Sequence, residues 1–107
     1  MNDYDIAAEK LALSEDELLI EFGKLLAGPS RDGGDQDRLR RARNWFTNNH
    51  AQLRETVCGN DKLTAIRADP EGVVLLAEVL GDHLNQPAVF GVSAYLLKHG
   101  LDRLCAE

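Results

Sequence analysis

Apolar positions along this chain fall mostly three and four residues apart, and no run alternates apolar and polar side chains as a half-buried strand would. The densest stretch is Pro87 to Cys105, PAVFGVSAYLLKHGLDRLC. Between Ala88 and Leu97 it carries no charged side chain, so a helix there is apolar on every face and has to be enclosed by other helices. It is shorter than the roughly 20 apolar residues that a membrane span requires. Pro87 suits a first helical turn, and Asn85 or Gln86 can cap it. Ala88, Gly91 and Ala94 form a strip of little bulk, where the pattern predicts a close approach by another helix backbone. Val89, Phe90, Val92, Leu96 and Leu97 cover the other directions.

The remaining elements follow in chain order. Ile6 to Leu13 reads as a short first helix with Ile6, Ala7 and Leu11 on one side. Ser14 interrupts it, and Glu17 three residues later completes a capping-box spacing that opens a second helix from Glu15 to Ala27. In that helix Leu18, Leu19, Phe22, Leu25 and Leu26 have core spacing. Residues 28–34, GPSRDGG, read as a flexible loop, and their glycines do not match a phosphate-binding loop. Asp35 is expected to cap a third helical region, in which Leu39, Ala42, Phe46, Leu53 and Val57 keep helical spacing up to Cys58. The Asn48-Asn49 pair leaves open whether that region is one helix or two. A short helix is expected from Asp61 to Ala68, with Leu63 and Ile66 inward. Asp69-Pro70-Glu71 has the signature of a helix start. The helix it opens should reach about Leu84 and bury Val73, Leu76, Ala77 and Leu80. Gly100 closes or bends the apolar helix, and Leu101 and Leu104 continue its face into a short last helix.

The expected architecture is all-α: a single compact bundle of five to seven short helices around an apolar C-terminal helix at about 87–98. A length of 107 residues, 44% of them hydrophobic, suits one domain, residues 1–107, with one core. Its expected form resembles the six-helix death-fold type in architecture. A formal net charge of −6 works against general binding to nucleic acid or anionic membrane. The start, MNDYDIAAEK, is acidic where a signal peptide is basic, so a cytoplasmic location is expected. In such a compartment Cys58 and Cys105 are expected to be buried thiols acting as small hydrophobes.

Catalytic and metal chemistry find little support. His50, His83 and His99 are scattered, none at the i, i+4 spacing of a helical zinc site. His50 is eight residues from Cys58 and His99 is six from Cys105, too far along a helix for direct contact. No nucleophile or acid–base motif stands out, so the expectation is a non-enzymatic protein without cofactor or metal.

Charge is the strongest functional signal. Residues 1–30 hold seven acidic and two basic side chains, residues 31–54 three and six, and residues 55–107 eight and four. The basic block contains Arg38, Arg40, Arg41 and Arg43, followed by Trp45. Arginine forks pair with carboxylates or phosphates in bidentate fashion, so these five residues are the first candidate partner-binding surface. The second is acidic: Glu15, Asp16, Glu17 and Glu21. Locally, AAEKLALSEDELL resembles the first two-thirds of a repressor-type helix-turn-helix, with Ala8 at its close-packing position, Ala12 in the turn and Leu18 inward. The resemblance implies DNA binding through the second helix, yet that helix would turn its acidic residues toward phosphates. The leading expectation is therefore a small adaptor, regulator or inhibitor that binds another protein, with a homo-oligomer left open. The alternative is a nucleic-acid-associated transcriptional regulator using the arginine helix.

Overall fold

Seven helices and no strand form among the described residues, 2–28, 33–60, 63 and 66–105, of a computed structural model of the chain. They are α1 (Asp3–Leu11), α2 (Glu15–Ala27), α3 (Asp35–Asn48), α4 (His50–Val57), α5 (Pro70–Leu80), α6 (Gln86–His99) and α7 (Leu101–Cys105). The architecture is the expected all-α bundle. No helix among the described residues is long and apolar enough to cross a membrane.

Capping side chains set most of the starts. Asn2 accepts the Asp5 N–H at 2.9 Å. Ser14 and Glu17 form a reciprocal capping box, each side chain accepting the other's backbone N–H at 3.1 Å. Asp69 accepts the Gly72 N–H at 2.7 Å ahead of Pro70, and Asn85 accepts the Ala88 N–H at 3.3 Å. Each satisfies a donor that the first helical turn otherwise leaves unpaired. The start of α3 departs from expectation. Gly34, at φ 97°, takes the cap position without a side-chain hydrogen bond, and Asp35 lies inside the first turn, where it accepts from Arg38.

Helix α6 lies at the centre, packed on α1, α2, α5 and α7. Every residue from Ala88 to Ala94 is buried, in one core shared with Ala7, Leu18, Phe22, Leu53, Val73, Leu76 and Leu80. Helix α2 runs antiparallel to α6: Glu15 meets His99 near one end, and the Glu21 side chain lies beside Gly91 farther along. It also runs antiparallel to α3, because Gly23 meets Arg38 while Asp16 meets Arg43.

Several sequence-based expectations are corrected. The close backbone approach is not at the Ala88–Gly91–Ala94 strip, since a Cβ on Gly91 would meet only a Glu21 carboxylate oxygen at 3.5 Å. It is at Gly23, where a Cβ would fall 2.0 Å from the Arg38 carbonyl oxygen. Leu25 and Leu26 keep core spacing but are 46% and 38% exposed. They stand in the last turn of α2, level with the first turns of α3 and α6. In the helix-turn-helix-like segment Ala7 is fully buried and Ala8 is exposed, so Ala8 has no close-packing role. Helix α1 begins and ends earlier than expected, and α5 stops at Leu80, ahead of Gly81. The region 35–58 is two helices, broken at Asn49, whose side-chain amide donates to the Trp45 carbonyl at 2.8 Å. Of the helix expected at 61–68, Leu63 is buried and residues 61, 62, 64 and 65 lie outside the described residues. Loop residues 29–32 do as well.

The cysteines are not thiols. Cys58 and Cys105 form a disulfide with Cα atoms 5.6 Å apart, across 47 residues of sequence. Wide sequence spacing hid the pairing because α4 and α7 are neighbours only in the tertiary structure. The bond ties the end of α4 to the end of α7, and Arg54 adds a hydrogen bond to the Cys105 carbonyl.

Candidate interaction surface

The two candidate surfaces adjoin at Asp16 and Arg43, because α2 and α3 pack side by side, while Glu15 and Glu21 turn toward α6 and α1. Gly23 allows this approach by presenting no Cβ to the α3 backbone, and Arg41 fastens it by donating from Nη1 to the Gly23 carbonyl at 3.1 Å. Arg41 is therefore a positioning residue within the fold, as well as part of the basic block.

The other arginines meet acids. Arg38 pairs with Asp35 at 2.9 Å and Arg40 with Asp37 at 3.4 Å, both one turn apart on α3, and Arg43 reaches Asp16 on α2 at 3.8 Å. Glu21 pairs with Lys10 of α1, and Glu15 accepts from His99 Nδ1 at 3.0 Å. Glu17 completes the capping box. Both candidate sets are thus partly neutralised within the molecule, by each other at Asp16 and Arg43 and otherwise by neighbouring side chains. Exposed pairs of this kind contribute about 0–1 kcal/mol each, so a partner's charges can replace them at little cost. The Arg40 side chain keeps 71% of its surface open to water.

Trp45 sits at the edge of the core, partly buried. Its ring meets Phe22 edge-on at 5.0 Å and Phe46 edge-on at 5.1 Å, and the series continues through Tyr95 at 4.9 Å to His99, stacked on Tyr95 at 5.5 Å. Such edge-to-face and offset contacts are the favoured aromatic geometries. The Tyr95 phenol is held above its ordinary range, first by burial and then by the negative charge of Glu15.

Sequence reasoning missed two features. The exposed Leu25–Leu26 pair was hidden by its regular spacing. A cavity at the other end of α6, beside Phe46, His50, Tyr95, His99 and Arg103, joins three segments that no local pattern connects. Among the described residues no group of three or more His, Cys, Asp or Glu side chains is placed to hold a metal ion. In comparisons with known proteins, no family model matches the chain, and no curated protein or solved structure matches it significantly.

Proposed function

We propose that this protein works by binding another protein at the end of the bundle where Leu25 and Leu26 stand beside the first turns of α3. The observation that carries this reading is the exposure of those two leucines, adjacent in sequence and 46% and 38% open, next to a helix whose arginines lie within reach of a partner. An apolar centre with a charged rim is the composition of protein–protein contact surfaces, in which arginine is enriched. The matching partner segment carries apolar side chains to cover Leu25 and Leu26 and carboxylates to take over Arg40 from Asp37. An adaptor, regulator or inhibitor without catalytic activity fits this description.

The test is a complex rebuilt from purified components. A partner captured by the wild-type protein should lose binding to a Leu25→Asp, Leu26→Asp variant and to Arg40→Glu, and should keep binding to a control substitution outside α2 and α3, His83→Glu in the exposed turn after α5. Circular dichroism checks that each variant folds. Equal binding by all four proteins sinks the reading. Arg41 is left unchanged because it holds α3 to α2. Salt-sensitive, micromolar association with duplex or single-stranded probes would favour the nucleic-acid alternative instead, with affinity falling by a log–log slope of about −0.9 per phosphate neutralised on duplex DNA.

A cytoplasmic location stays within the proposal only if the Cys58–Cys105 bond forms transiently there, since structural disulfides persist mainly in oxidising compartments. Trapping the thiols at the moment of extraction from the host distinguishes the two cases.

A further inference from the structure

We propose that the cavity bordered by the α3–α4 junction, the C-terminal end of α6 and α7 binds a small aromatic carboxylate. The proposal is independent of the protein-binding surface, because this cavity lies at the opposite end of α6 from Leu25 and Leu26.

Size comes first. The cavity has a volume of about 120 Å³, and its apolar walls are Phe46, Leu53, Leu96 and Leu104. An apolar protein cavity of roughly 150 Å³ accepts benzene; this one is smaller but open on one side, so a single ring can seat in it with its polar edge in the opening. Phe46 and Tyr95 lie 4.9 Å apart, and the His99 ring stacks on Tyr95 at 5.5 Å, so a ring that enters meets aromatic surfaces in the edge and offset arrangements they prefer.

Charge then selects the class of ligand. His50, His99 and Arg103 line the cavity together with its apolar walls. Among the described residues, no ion pair or hydrogen bond engages the side chain of Arg103 or of His50, and the Nε2 of His99 has no partner. Of the acids near this group, Glu15 is committed to His99 Nδ1 at 3.0 Å and Asp16 to Arg43. With an apolar interior and the guanidinium of Arg103 at its rim, the site suits an anion attached to an apolar ring. The guanidinium of Arg103 is suited to a carboxylate, which it can hold through two parallel hydrogen bonds. Arg103 and Leu104 are in turn held over the cavity because the Cys58–Cys105 bond fixes α7 to α4.

The experiment is a titration of the full, oxidised, isotope-labelled chain with benzoate, followed by amide shifts, alongside benzyl alcohol as the neutral analogue and benzylamine as the cationic one. Benzoate should produce saturable shifts centred on Leu53, Leu96 and Leu104, and should bind more tightly than either analogue. Arg103→Gln, a change on an exposed side chain, should weaken benzoate by roughly tenfold or more while leaving benzyl alcohol unchanged, as expected for loss of a charge-assisted hydrogen bond. His50→Gln should weaken benzoate in the same selective way, by a smaller factor. The proposal is overturned by shifts that do not saturate or that map elsewhere, by benzylamine binding as well as benzoate, or by Arg103→Gln weakening all three ligands alike. Shifts at these same residues that grow with protein concentration, without ligand, would assign the cavity to a second copy of the chain and overturn it as well.

Discussion

Helices α3 and α6 are each fourteen residues long, and they are held in the fold by opposite means. Helix α6 is buried at every position from Ala88 to Ala94 and packs most closely on α1, α2 and α5, so it is held by area, at about 25 cal/mol for each Å² of apolar surface removed from water. Helix α3 has one fully buried residue, Ala42, and leans chiefly on α2. Its attachment is a local fit: the missing Cβ of Gly23, the hydrogen bond from Arg41 and the ring of Trp45 edge-on to Phe22. The central helix can lose a methyl group and remain enclosed. The peripheral helix depends on a few contacts, and in return it keeps most of its side chains available at the surface.

The contrast can be tested by damaging each helix in turn. Leu96→Ala in α6 removes a packed side chain from the centre and should cost about 2–5 kcal/mol; thermal melting measures it, and an unchanged midpoint would mean that α6 does not form the core. Breaking the bond between the extensions of the two helices, with Cys58→Ser and Cys105→Ser together, should cost about 2–4 kcal/mol, as expected for a covalently closed loop of this length. Hydrogen exchange should then rise first in α4 and α7 and last in α6. Gly23→Ala is a smaller chemical change, but its Cβ has no space against the Arg38 carbonyl. Forcing α3 outward should cost about 1–3 kcal/mol, with a red shift of Trp45 fluorescence as its contact with Phe22 loosens; a neutral result would show that α3 rides loosely on α2.

The smallest expected effect is one of pH, at the place where the two helices meet. Tyr95 on α6 packs against Phe46 on α3, and burial first, then Glu15, raise its phenol pKa above the ordinary 10.0, with Arg43 pulling the other way. A pKa raised in the folded state gives stabilisation that is whole below about pH 10 and is lost as pH rises through the folded value. Wild type should therefore lose stability relative to Tyr95→Phe only above that pH. A constant difference between the two proteins from pH 7 to 11 would mean that the phenol is solvated as in the unfolded chain.

Much of the fold was legible because its signals are local. Ser14 with Glu17, Asp69 with Pro70, and Asn85 each place a capping group where the first-turn donors need one, and the uncharged run from Ala88 to Leu97 can be a helix only if other helices enclose it. What could not be read depends on where helices meet. Periodicity assigns Leu25 and Leu26 to the inner side of α2, but it does not say that its last turn remains open in the folded bundle. Three small residues on α6 suggested a backbone contact that one glycine on α2 makes instead. Of the candidate surface, the residue types and charge were readable from the arginine block. Their division into an internal anchor, Arg41, and outward-facing side chains such as Arg40 was not, because it follows from the rotation of α3 about its axis once Gly23 has set the spacing. The cavity beside Arg103 was hidden for the same reason as the disulfide: both require α4 and α7 to come together from distant parts of the chain.

The Cys58–Cys105 bond also gives the polypeptide the topology of a lariat, a covalent ring of residues 58–105 carrying α5, α6 and α7, with the first four helices as a tail. The two parts respond differently to a protease. A cut in the exposed turn at Gly81, Asp82 and His83 falls within the ring and leaves one covalent molecule until a reductant is added. A cut at the exposed Gly33 and Gly34 falls in the tail and produces two pieces at once, with α1 and α2 then joined to the rest only by packing against α3, α5 and α6. Gel mobility with and without reductant therefore reports which segment was cleaved, and a nicked sample that stays together in native conditions but separates in denaturant would show that packing alone keeps the severed helices in place.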